Sequence, residues 1–88
     1  MASPDSHAYA DRLCARLPGW LRGLRAARQL STPDLARRAG VTRAMIWRIE
    51  TGKSIPTLHM VARLTTGLGV TLEELVGALE AGEGERKG

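Results

Sequence analysis

Phenylalanine is absent from the 88-residue sequence, and Tyr9, Trp20 and Trp47 are its only aromatic side chains. With twelve leucines and abundant alanine and arginine but few β-branched residues, the composition favours helices over an aromatic-rich sheet. The single cysteine, Cys14, excludes an internal disulfide. No Cys/His cluster has metal-ligand spacing, so neither a metal nor another cofactor is expected. No run approaches the roughly 18 apolar residues of a membrane span, and the N-terminus lacks the basic-then-apolar order of a signal peptide. A cytoplasmic protein with no membrane partner is the expectation, in the reducing compartment that suits a lone thiol.

Apolar residues make up 43% of the chain and charged residues 25%, close to globular averages, so a packed core is expected over most of its length. The length leaves room for one small domain and for no separate ligand-sensing domain. Charge is unevenly placed: residues 1–11 carry two acids and no base, residues 12–63 eleven bases against two acids, and residues 64–88 five acids against two bases. A basic body between acidic ends fits a polyanionic partner, and it also fits a solvated arginine face made for solubility.

Along the chain, Ser3-Pro4 supplies an N-cap and a first-turn proline, and Tyr9, Leu13 and Leu17 then recur every four residues with Cys14 beside them. This predicts a short amphipathic helix with a buried structural thiol, broken at Pro18-Gly19. A second helix runs from Trp20 to near Gln29 with Leu21 and Leu24 inward. Ser31 and Asp34 form a capping box for a third helix, which Gly40 stops in the left-handed conformation. Thr42 caps a helix from Arg43 to about Glu50, closing at Thr51-Gly52. Pro56-Thr57 opens another, with Leu58, Val61, Ala62, Leu64 and Leu68 inward and Gly69 as its stop. Thr71 and Glu74 box the start of a last helix bearing Leu72, Leu75, Val76 and Leu79 on one side, and a disordered tail follows. The fold class is all-α.

Two helices joined tightly at Gly40-Val41-Thr42 have helix-turn-helix spacing, in which the second helix can enter a DNA major groove. At about 100° per residue, with Arg43 at zero, Trp47, Ala44 and Arg48 fall at about 40°, 100° and 140°. Met45, Ile49, Ile46 and Glu50 occupy the other side. One face is therefore apolar and inward, and the other presents two arginines around a tryptophan. Catalysis finds no support: there is no Ser/His/acid order, no phosphate-cradling glycine loop, and Glu73-Glu74 is explained by a helix start. His7 and His59 read as exposed, unspecialised histidines.

Leu21 to Arg25, Leu30-Ser31, Leu35-Ala36, Gly40 to Arg43, Ile46, Ile49 to Lys53, Pro56 to Leu58, and Leu68 to Val70 followed by Leu75 together resemble the Cro and phage-repressor type of helix-turn-helix regulators, the XRE family. The resemblance implies a five-helix repressor-like DNA-binding domain over residues 20–79, usually dimeric on a partly palindromic operator. An arm with an extra N-terminal helix (residues 1–19) and a tail (residues 80–88) flank it. Arg43, Ala44 and Arg48 match positions facing base edges and Trp47 a position near the groove, and all four are the expected base-contacting residues. Lys53, the Thr51 and Gly52 amides, and the Ser31, Thr32 and Thr57 hydroxyls match positions near phosphates. Thr32 stands where the family commonly has Gln. Arg25 and Glu50 match an internal ion pair beneath the recognition helix.

The expected partner is double-stranded DNA, bound by a homodimer acting as a transcriptional regulator. The alternative is an antitoxin-type protein that binds and neutralises a partner protein (a toxin) and autoregulates its promoter. The four apolar residues of the last helix, Leu72, Leu75, Val76 and Leu79, are the expected dimer interface, with the stripe at Tyr9, Leu13 and Leu17 as the other candidate.

Overall fold

The computed structural model describes residues 4–82, and within them it contains five helices and no strand. They are α1 (Pro4–Ala27), α2 (Thr32–Ala39), α3 (Arg43–Glu50), α4 (Leu58–Leu68) and α5 (Leu72–Glu80). The N-cap expected at Ser3 and most of the expected tail lie outside the described residues, and Glu80, expected in the tail, is the last residue of α5.

Each of the four later helices begins where a hydroxyl stands. Ser31 Oγ accepts from the Asp34 amide at 3.1 Å while Asp34 Oδ2 accepts from the Ser31 amide at 3.0 Å. Thr71 and Glu74 repeat this reciprocal arrangement at α5, and Thr42 and Thr57 cap α3 and α4 through the amides of Met45 and Met60, each at 3.1 Å. Gly40 ends α2 at φ 71°, and the Gly40 and Val41 amides both close on Ala36 O. A left-handed residue is what turns the chain tightly enough for α3 to follow α2.

The expected break at Pro18 does not occur: α1 is one helix of 24 residues with the proline inside it. An interior proline forfeits a helical hydrogen bond and costs about 3 kcal/mol. Packing offsets this, because Leu17, Trp20 and Leu21 are buried on one side of the helix across the proline. α1 lies against both α3 and α5, so helix on either side of Pro18 is held from outside. The helix instead stops after Ala27, with Gln29 in the left-handed region at φ 57° and the Leu30 amide closing on Arg25 O at 3.0 Å.

Leu21, Leu35, Ile46, Ile49 and Leu68 are fully enclosed, and Leu64, Leu75 and Leu79 complete the core between α1, α4 and α5. Leu75 and Leu79 were expected at a dimer interface, yet they are 2% and 6% exposed because α5 packs on α1 and α4 within the same chain. Three further expectations of burial fail. Cys14 is exposed. Leu58, in the first turn of α4, and Ala62, one turn later, also face outward, because that helix turns Leu64, Thr65, Gly67 and Leu68 to the core.

α2 and α4 approach each other closely at Gly67, where an added Cβ would stand 3.1 Å from the Ala39 backbone nitrogen. The N-terminal part of α1 runs along α5. There the Tyr9 hydroxyl donates to Glu80 Oε2, which raises the tyrosine pKa, and Arg16 Nη1 donates to Leu79 O at 2.7 Å. No helix among the described residues is long and apolar enough to cross a membrane.

Candidate nucleic-acid interface

The site is built on α3, and the core fixes which face of it is free. Ile46 and Ile49 are fully buried and Glu50 nearly so, which leaves Arg43, Ala44, Trp47 and Arg48 exposed together on the outer side. From beneath, Arg25 holds the helix through a bidentate pair with Glu50: Nε to Oε2 at 2.7 Å and Nη2 to Oε1 at 2.9 Å. The third donor, Nη1, reaches Leu30 O at 3.0 Å, so one guanidinium ties the end of α1 to the end of α3. The carboxylate bond raises the Arg25 pKa, and the side chains are only 18% and 9% exposed. Such a fork fixes orientation as well as distance.

A second arginine braces the turn before α3. Arg63 of α4 points Nη1 at Ala39 O and Gly40 O, both at 3.4 Å, so the carbonyls ending α2 meet a cation. Sequence reasoning missed this residue, and only its position one turn after His59 in a basic region hinted at it. Arg37 is held by Asp34 at 2.9 Å, and that carboxyl is kept below its ordinary range by the Ser31 amide, then the Ser31 hydroxyl, then Arg37. The side chains of Arg43 and Arg48, by contrast, make no hydrogen bond or ion pair among the described residues.

The expected phosphate-facing groups separate into two sets. Ser31 Oγ and Thr57 Oγ1 each accept from a helix amide, yet each hydroxyl keeps its own proton to donate outward. Thr32 is half-buried in the first turn of α2, and Lys53 is exposed just past α3. The Thr51 and Gly52 amides do not fit their expected role: they donate to Trp47 O at 3.0 Å and Ile49 O at 3.1 Å. The Thr51 hydroxyl also turns inward, to Trp47 O at 2.7 Å. An amide has one proton, and here the C-terminal cap of α3 uses it.

No group of three or more His, Cys, Asp or Glu side chains among the described residues could hold a metal ion. An open apolar groove of about 180 Å³ lies away from α3, between α1, the start of α4 and α5, and Leu13, Leu58, Leu72 and Val76 line it. Ile55, 75% exposed, and Leu58, 70% exposed, form its rim with Val76. Ile55 had not been singled out, although an apolar Ile-Pro step in a polar loop was its signal.

A family model described as a helix-turn-helix domain matches residues 19–79, the span that holds α2, α3 and α4 whole, α5 but for Glu80, and the second part of α1 from Gly19 on. The chain belongs to the helix-turn-helix domain family. The motifs that carried the resemblance to Cro and phage-repressor regulators all fall inside that span. An uncharacterized HTH-type transcriptional regulator of Methanocaldococcus jannaschii is 36% identical over 55 residues, which cover 62% of this chain and 83% of the relative. Among solved structures, a point mutant of the restriction-modification controller protein C.Esp1396I superposes with a TM-score of 0.76 at 19% identity, over 85% of this chain and 95% of the other. The all-helical fold is thus shared with a controller protein. The chain is a DNA-binding transcriptional regulator of the helix-turn-helix class.

Proposed function

We propose that the protein is a sequence-specific regulator acting in the cytoplasm as a homodimer on a short inverted-repeat operator. The observation that carries the reading is the outer face of α3, where the side chains of Arg43 and Arg48 have no partner among the described residues while Arg25, Arg37 and Arg63 are engaged. Arg43 and Arg48 suit guanine, whose O6 and N7 accept the two prongs of a guanidinium, and Ala44 suits a thymine methyl. Ser31, Thr32, Thr57 and Lys53 would set register on phosphates.

The dimer surface is best supported at the apolar groove. Leu75 and Leu79 are enclosed in their own chain, whereas Ile55, Leu58, Leu72 and Val76 present apolar surface that a second copy would cover. A two-fold pairing there would hold two α3 helices roughly 34 Å apart, one turn of B-DNA.

Selection of bound duplexes from a random pool tests both parts. A short inverted repeat is expected, with Arg43→Ala and Arg48→Ala each losing about 1–3 kcal/mol and relaxing one position per half-site. Lys53→Ala should weaken all sequences alike. An unchanged consensus in both arginine variants refutes the recognition face. Light scattering of Ile55→Asp with Leu58→Asp should show a monomer where the wild type is a dimer, and a monomeric wild type both free and on DNA refutes the pairing.

A further inference from the structure

Trp47 is the one large apolar side chain on the outer face of α3, and it is 53% exposed. An indole has a single N–H donor and no acceptor, so it cannot match a base edge in the way an arginine fork does. Its ring face is nevertheless engaged, because Lys53 Nζ lies 5.9 Å from the ring centroid, within the range of cation–π attraction. The root of that lysine is fixed as well, since its amide donates to Arg48 O at 2.8 Å. An unrestrained lysine side chain carries much rotamer freedom, which a phosphate contact would have to remove. Here the ammonium is already drawn back over α3, and a stacked ammonium keeps donors for an anion.

We propose that Trp47 is a positioning residue that holds the Lys53 ammonium at the C-terminal edge of the recognition face, poised for a phosphate on the wall of the major groove. Trp47 thus acts on DNA affinity through Lys53 and reads no base. The inference rests on the DNA-binding reading above and assigns Trp47 a role other than base contact.

The test is a double-mutant cycle of wild type, Trp47→Ala, Lys53→Met and the double variant. All are titrated with a duplex that the wild type selects from a random pool, across a salt series. Trp47→Ala should weaken binding about two- to fivefold for each subunit bound while Lys53 is present and leave affinity unchanged in the Lys53→Met background. Lys53→Met should lower the slope of log affinity against log salt by about 0.9 for each subunit bound, and Trp47→Phe should restore most of the affinity. A fresh selection with Trp47→Ala should return the wild-type consensus. Equal losses in both backgrounds, or a consensus altered at one position per half-site, overturn the proposal.

Because Trp47 is exposed, the variants should fold and melt within a few degrees of the wild type, losing at most the pairing itself. In the free protein, an upfield ring-current shift of the Lys53 ε-protons should vanish in Trp47→Ala, and its absence from the wild type overturns the pairing itself. A wild type that shows the shift but retains no duplex from the pool overturns instead the DNA-binding reading on which the role depends.

Discussion

A methyl group added at Gly67 separates two opposing effects that the structure sets against each other. In an open helix interior, Gly→Ala stabilises by about 1 kcal/mol through backbone entropy. At Gly67, however, the new Cβ would lie 3.0 Å from Leu35 Cδ1, 3.1 Å from Ala39 Cβ and 3.1 Å from the Ala39 nitrogen. Carbon contacts are optimal at about 3.5–4.0 Å, so α2 or α4 must move. Leu35 is fully enclosed and the Ala39 nitrogen belongs to helix backbone, which leaves no flexible side-chain end to yield. Overpacking of this kind costs about 1–3 kcal/mol.

Gly77, inside α5 with nothing within 4 Å of its added Cβ, provides the reference. Gly77→Ala should raise stability by about 0.5–1 kcal/mol, and the difference between the two variants isolates the steric penalty. For a domain of this size, 1 kcal/mol moves the melting temperature by about 4–8 °C. Circular-dichroism melts at one protein concentration would measure it, since association would otherwise shift the midpoints. A Gly67→Ala protein that melts with or above Gly77→Ala would refute the close approach of α2 and α4.

Three further expectations are independent of that one. Arg25→Ala and Glu50→Ala should each destabilise by about 3–5 kcal/mol in urea titrations, with Arg25→Ala the worse because it strands the more enclosed carboxylate and the Leu30 carbonyl; midpoints equal to wild type would show the pair to be dispensable. Gln29→Gly should stabilise by about 0.5–1 kcal/mol by relieving a left-handed residue at φ 57°, and a lowered urea midpoint would show that the glutamine side chain contributes something the backbone angle does not reveal. Asp34 has a folded pKa below its unfolded value, so its stabilisation is fully present above about pH 4 and is lost as pH falls through the lowered value. Asp34→Asn should therefore be less stable than wild type at neutral pH and converge with it in acid; a gap of constant size down to pH 2 would refute the assignment.

What was legible in the sequence was what neighbouring residues decide. A hydroxyl three residues before an acid and ahead of an apolar run marks a helix start, and Ser31-Asp34 and Thr71-Glu74 do so here. The wheel on α3 was equally local: Ile46 and Ile49 face inward and Trp47 outward, and no other arrangement of those eight residues buries both isoleucines. The inner face of α4 was less legible. Leu58 follows the helical spacing, yet it precedes the point at which α4 meets α2, and only the position of α2 tells that its side chain clears the core. Nothing local to α4 calls for a glycine at position 67, since the reason for it is Ala39, 28 residues earlier. The inward-turned amides of Thr51 and Gly52 depend on how α3 ends, which residue types alone do not determine.

The two largest departures have a common cause. Pro18 carries a local signal to break the helix, and the apolar side of α5 carries a local signal of surplus surface, and both readings are sound for isolated segments. They fail together because each segment is the other's partner. α1 continues through Pro18 and lies along α5, burying Leu17 on one side of the contact and Leu75 and Leu79 on the other, and it is tied at the far end by Tyr9 to Glu80 and by Arg16 to Leu79 O. The surface that remains apolar is consequently displaced from the face of α5 to its edge, where Val76 meets Ile55 and Leu58. A deletion of residues 1–17 therefore removes part of the core, and loss of dimer in such a variant would reflect unfolding of α5 before it reported on any interface.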